Sequence, residues 1–227
     1  MTFSLLNHQD EAVPILAAQV ITILLSISPS VDIPASSLET YFKWITTLSN
    51  KPHTSMQDLA VQYFAGALKS SQNRRVFWGL NCCDEVVELL KTKKDLQLQY
   101  HSLLVLWLIT FEKKIASEIN EYRHHFLPSA NLLRKYDIIA ILVNISKTAI
   151  KEKINRLVIG IFRNLVKNAP EENLPAMVVA KLLQLVKSLS ARKWADQEIT
   201  EDLTFLQDEL QASFDQLTYS RLDLDEV

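Results

Sequence analysis

Two adjacent pairs have side chains of the kinds that chemistry uses, Cys82-Cys83 and His124-His125. Imidazole is a common metal ligand, but adjacent side chains diverge on a helix. No Cys or further His lies close enough in sequence to complete a tetrahedral shell, so no metal site is expected. Cys82 and Cys83 follow Asn81 and precede Asp84-Glu85; acids beside a thiol do not lower its pKa, so packing rather than reactivity is expected of both. A phosphate-cradling loop needs glycines at fixed spacing ahead of Lys and Ser or Thr, and Gly66, Gly79 and Gly160 never meet it. The G-x-S-x-G, H-E-x-x-H and C-x-x-C patterns are absent as well, which removes the hydrolase elbow, the zincin helix and the redox pair. The expectation is a non-enzymatic chain with no catalytic residue and no cofactor.

Charge offers a different kind of site. From Asp196 to Val227 there are ten acids and one base, Arg221, while residues 1–195 carry 23 bases against 16 acids. A basic body with an acidic tail favours either docking of the tail on the body or separate partners for the two. Within the body, Lys147, Lys151, Lys153, Arg156, Arg163 and Lys167 are opposed in that interval only by Glu152. They form a candidate basic face for an acidic protein partner; the bland alternative is a solvated helix face. Nucleic acid is not expected, since the basic excess is modest and stacking aromatics are missing from the cluster. Trp44, Trp78 and Trp107 sit among apolar neighbours and read as core anchors.

The elements that must carry these residues are helical. Three glycines and seven prolines in 227 residues, with 48% hydrophobic content, suit long helices with short joints rather than hairpins. Ile199, Leu203, Leu206, Leu210, Phe214 and Leu217 recur at steps of four and three, with Asp196 placed as an N-cap and Glu198 in the first turn. Upstream, 15–27, 96–111, 138–150, 157–165 and 177–189 hold more apolar residues than one stripe needs, which predicts helices covered on both sides. Joints are expected at 28–34, 50–53, 127–129 and 168–175. The uncharged run from Ala12 to Val31 is interrupted by Pro14, Gln19, Thr22 and Ser26 and reads as a core helix, not a membrane span. No Lys or Arg precedes Lys43, so no export signal is expected, and the cysteine usage suits a reducing compartment.

Gln19, Gln62 and Gln99 mark a repeat of about 40 residues, the period of armadillo and HEAT units. The expected fold class is therefore an all-α armadillo/HEAT-like helical-repeat solenoid, or superhelix. It is read as a single domain over 1–227, with irregular units at about 12–50, 54–92, 95–150 and 151–191 and an acidic closing helix at 196–219. Within the second unit, Gln72-Asn73-Arg74-Arg75 is read as lying between two helices. An insert from Ser117 to Pro128, carrying Tyr122-Arg123-His124-His125-Phe126, departs from the regular unit.

The run Lys193-Trp194-Ala195-Asp196-Gln197-Glu198-Ile199, followed by Asp202, Leu203, Leu206 and Leu210, resembles the closing motif of the H subunit of the vacuolar-type proton-pumping ATPase (V-ATPase). The likeness covers at least Lys151 to Leu217 and, more loosely, the whole chain. It implies a non-catalytic regulatory protein at the cytosolic face of vacuolar or endosomal membranes, peripheral rather than inserted. It also implies contacts with the E and G stalk subunits and with the cytosolic part of the pump's a subunit. The implied task is to help couple ATP hydrolysis to proton transport during vacuolar acidification. Members of that family are longer, with helices ahead of Met1 and a smaller C-terminal domain past Val227 that is tied to silencing of hydrolysis. The expectation is thus a fragment or shortened product. The alternative is a generic armadillo adaptor of the importin kind, whose helices carry Trp-x-x-x-Asn; here Leu48, Cys82, Phe111 and Glu198 stand at the asparagine positions.

Overall fold

A computed structural model of the protein describes residues 2–119 and 137–222, which fall into two compact units, Met1–Glu112 and Lys113–Val227. The pair His124-His125 and the joint expected at 127–129 lie outside the described residues. Among those residues the regular structure is entirely helical, which agrees with the expected fold class.

In the first unit, a short 3-10 helix at Thr2–Asn7 is followed by α1 (Ala12–Ile27), α2 (Ala35–Ser49), α3 (Thr54–Ala67), α4 (Ser71–Gly79), α5 (Cys83–Thr92) and α6 (Leu96–Ile109). Helix α3 packs against α1, α2 and α6. Its core is aromatic: Phe64 meets Phe77 edge to face at 5.0 Å, and Phe42 meets Phe77 at 5.7 Å, all three rings fully buried. The segment Gln72-Asn73-Arg74-Arg75, expected between two helices, lies within helix α4. Ser70 caps it by accepting from the Asn73 N–H at 3.2 Å, and the Asn73 side chain donates to the Ala67 carbonyl at 2.7 Å. Arg74 then donates twice to Glu112 Oε1, at 2.9 and 2.8 Å, and to the carbonyls of Leu68 and Lys69 that α3 leaves open at its end. A nine-residue helix held by polar side chains leaves almost no apolar period to read.

The second unit holds α7 (Lys113–Glu118), α8 (Ile138–Thr148), α9 (Glu152–Asn168), α10 (Pro170–Val179), α11 (Leu182–Ser190) and α12 (Gln197–Leu222). Two expectations are corrected here. The joint placed at 168–175 shrinks to Ala169, because Pro170 opens α10 at a position that needs no N–H and Pro175 lies inside that helix. The helix placed at 177–189 is two helices, divided at Lys181, whose φ of 59° is left-handed. Asn81, with φ 57°, occupies the corresponding place between α4 and α5. The same left-handed residue, two positions past a short helix, turns the chain in both units, and such a C-terminal stop satisfies the last carbonyls of the helix while redirecting the backbone, as Asn81 N–H to the Trp78 carbonyl and Lys181 N–H to the Val178 carbonyl do, both at 3.0 Å. Fully buried Asn173 fixes α10 by donating to the carbonyls of Ala116 at 3.0 Å and Ala169 at 2.8 Å.

Coverage on both sides also fails for α1. Its inner face buries Ala17, Ala18, Ile21 and Leu25, while Leu16, Val20, Ile23, Leu24 and Ile27 are exposed. The inner contact is close at Gly66 of α3, where an added Cβ would collide with the Thr22 methyl. Thr22 cannot swing away freely, since its hydroxyl donates to the Ala18 carbonyl at 2.7 Å and lies 2.5 Å from the buried Tyr41 hydroxyl. Alanine in a helix normally gains about 0.5–1 kcal/mol over glycine, whereas forcing a methyl into a filled contact costs about 1–3 kcal/mol. Overpacking wins, so Gly66→Ala is expected to lower urea stability, and the Thr22→Ser/Gly66→Ala double variant to recover most of the loss. Equal stability of Gly66→Ala and the parent would contradict this packing.

Candidate partner-binding face and the closing helix

The second unit assembles the residues that the sequence singled out. Asp196 caps α12 as expected, its Oδ1 accepting from the Glu198 N–H at 3.0 Å. The apolar stripe begins at once: Ile199, Leu203, Leu206 and Leu210 are all at most 2% exposed and face α9, α10 and α11. Trp194 holds the approach, donating its Nε1–H to the Leu189 carbonyl at 2.9 Å at the end of α11. Lys193 is exposed. The stripe stops earlier than its periodicity suggests, because Phe214 is 46% and Leu217 39% exposed. The spacing continues past Leu210; the burying surface does not.

Above this buried seam runs a polar one. Arg156 reaches Asp196 Oδ2 at 2.6 Å and Glu198 Oε2 at 3.0 Å, and Arg163 reaches Asp202 Oδ1 at 2.6 Å. Farther along, Lys187 donates to Gln211 Oε1 at 3.2 Å. Burial pushes the Asp202 carboxyl above its ordinary value, opposed by the neighbouring Arg163 guanidinium and assisted by Glu198 and Glu201. Removing the carboxyl from water thus outweighs the favourable charge beside it. Arg156 and Arg163 remain half-exposed, and such pairs contribute about 1 kcal/mol or less each.

The expected basic face is therefore divided. Arg156 and Arg163 turn to the acids of α12. Lys147 at the end of α8, Lys151 at the start of α9 and Lys167 in the last turn of α9 are exposed, with no ion pair to a described residue. Lys153 is exposed too and has an electrostatic or hydrogen-bonding partner.

Other candidates settle differently. Cys82 and Cys83 are buried, and burial above all, with Asp84 and Glu85 adding to it, pushes the Cys82 thiol up to about 11. Trp78 is buried, whereas Trp44 and Trp107 are only half-buried, Trp107 meeting Phe111 edge to face at 4.9 Å. One polar cluster went unnoticed in the sequence: His101 Nδ1 lies 2.6 Å from Asp58 Oδ1, Gln62 donates to Asp58 at 2.8 Å, and Gln97 lies 3.2 Å from His101. Its only linear signal is the four-residue spacing of 58 with 62 and of 97 with 101. No group of three or more His, Cys, Asp or Glu among the described residues could hold a metal ion, and no helix among them is long and apolar enough to cross a membrane.

Short capped helices, left-handed turns and long packed helices define a helical-repeat protein of the armadillo class. A designed armadillo repeat protein solved with the peptide (KR)4 superposes with a TM-score of 0.65, covering 92% of this chain and 80% of that one at 14% identity, a likeness of fold alone. Residues 1–210 match the family model for the V-ATPase H subunit, and the chain belongs to that family. It is 25% identical over 221 residues to the H subunit of the V-type proton ATPase of Drosophila melanogaster, covering 95% of this chain and 44% of the relative. To the corresponding V-type proton ATPase protein of Dictyostelium discoideum it is 23% identical over 220 residues, covering 95% and 45% respectively. The chain thus spans less than half the length of these relatives.

The two halves of the closing stripe should behave differently. Leu206→Ala leaves a cavity under α12 and is expected to cost about 2–5 kcal/mol, followed by circular dichroism through urea unfolding. Phe214→Ala removes a side chain that is already 46% exposed and should cost far less, about 1 kcal/mol or below. Comparable losses from both would show that the seam continues past Leu210.

Proposed function

We propose that this chain is a non-catalytic component of the vacuolar-type proton-pumping ATPase that binds the peripheral stalk and helps couple ATP hydrolysis to proton transport. The observation that supports it most is the family match over 1–210. In this reading the chain works at the cytosolic face of vacuolar or endosomal membranes, within a heteromeric complex. It touches the E and G stalk subunits and the cytosolic part of the pump's a subunit.

Physical chemistry favours a binding role for such a scaffold. Stacked helical units present an extended surface on which many residues contribute a little each, and helices are natural objects for it to grip. The proposed partner face is the basic one at Lys147, Lys151, Lys153, Arg156, Arg163 and Lys167. Since both arginines already pair with α12, the lysines supply the charge for an acidic partner.

Affinity purification of the full chain from cell extract is expected to recover proton-pump subunits. Recovery of nuclear transport factors instead would favour the generic armadillo adaptor. Reversing Lys147, Lys151 and Lys167 to Glu is expected to lower recovery of stalk subunits severalfold at physiological salt, with less effect at high salt, where the attraction is already screened. Unchanged recovery would remove the electrostatic basis of the face.

A further inference from the structure

We infer that the turn between α8 and α9 is a docking knuckle, with Ile150 as an apolar anchor that enters a pocket rimmed by acidic side chains on a protein partner. The inference deepens the stalk-binding role proposed above and rests on it.

Ile150 is 95% exposed. A single exposed apolar side chain is ordinary on a protein surface, so exposure alone carries little. The support underneath this residue is less ordinary. Buried Ser146 donates to Asn155 Oδ1 at 2.8 Å, and the buried Asn155 side chain donates through Nδ2 to the Ala149 carbonyl at 3.3 Å. On the other side of the turn, the Ile154 N–H donates to the Lys151 carbonyl at 3.0 Å. The peptide that precedes Ile150 is thereby tied to Asn155, and the one after Lys151 to the first turn of α9. The Ile150 side chain is presented in a fixed place, and binding avoids the ordering entropy of a loose loop.

Charge then identifies the kind of partner. Lys147 and Lys151 flank the isoleucine in sequence, both exposed and neither paired with a described residue, while the nearest arginine, Arg156, is taken by Asp196 and Glu198. An apolar anchor flanked by charge divides the work of an interface: the anchor supplies affinity on burial, and the two lysines steer approach. An anionic membrane is a poorer fit. Recognition of lipid headgroups by charge uses clusters of about 4–8 basic residues, and here Glu152 interrupts a shorter run.

The test titrates the full chain with the purified E–G stalk pair at low and physiological salt. Ile150→Ser, which removes apolar surface without adding charge, is expected to weaken binding at least tenfold, whereas Ile150→Leu retains it. Lys147→Glu/Lys151→Glu is expected to weaken binding most at low salt and to flatten its salt dependence. Thermal melts should not move, because the altered side chains lie in solvent. Parent-like binding by Ile150→Ser would overturn the knuckle while leaving the stalk reading intact. A parent chain that fails to bind the stalk pair would overturn both. Tighter binding to phosphatidylserine–phosphatidylcholine vesicles than to the stalk pair would overturn the assignment to a protein partner.

Discussion

The seam that holds α12 onto α9, α10 and α11 is the contact on which the second unit depends, and it is built in two layers with different tasks. Ile199, Leu203, Leu206 and Leu210 are withdrawn from water, and a fully buried side chain of this size contributes about 1.5–3 kcal/mol. The arginine–carboxylate pairs above them are half in solvent and contribute about 1 kcal/mol or less each. Burial therefore supplies the strength of docking, and the charges choose its register: Arg156 grips the start of α12 and Arg163 the residue one turn further on. A slip along the helix would leave the partly buried Asp202 without the guanidinium that offsets its desolvation. The residues that resemble the family's closing motif are thus mostly a docking code. Asp196 caps, Trp194 ties the connection, and the stripe is buried.

This division changes what the charge asymmetry means. An acidic tail facing a basic body could have signalled two independent partners, but the first acids of the tail are taken up by the body's own arginines. What remains outside the fold's own pairing is a set of lysines, three of them exposed and unpaired with any described residue, and the turn that displays Ile150. The contrast suits the chemistry of the two cations. A planar guanidinium holds carboxylates in a fixed geometry within a fold, while a lysine at the end of a flexible stem is a weaker structural tie and a better surface charge.

Where the sequence was legible, a strong apolar period pointed at a surface that exists. Helix α12 is the clearest case, with its cap, its stripe and its acidic outer face all present in the linear text. The same rule failed at Phe214 and Leu217, because periodicity records which residues could be buried and not how far the covering helices extend. It failed again on α1, where a second apolar face lies exposed. Helices α4 and α10 were hidden for a different reason: side-chain hydrogen bonds from Ser70, Asn73, Arg74 and Asn173 define them, and such bonds leave no repeating pattern. Lys181 gave no warning at all, since a non-glycine residue in a left-handed turn is invisible to composition. The division of the basic face had no linear signal either, because Arg156 and its acids lie 40 or more positions apart in sequence.

Hydrogen exchange along α12 in the intact chain measures this seam most directly. Docking through Leu210 predicts slow exchange for the amides from about Ile199 to Leu210, with protection falling away beyond Ser213, and faster exchange over the protected stretch in an Arg156→Ala/Arg163→Ala variant. Exchange at one rapid rate from Gln197 to Leu222, unchanged by that variant, would contradict a docked closing helix.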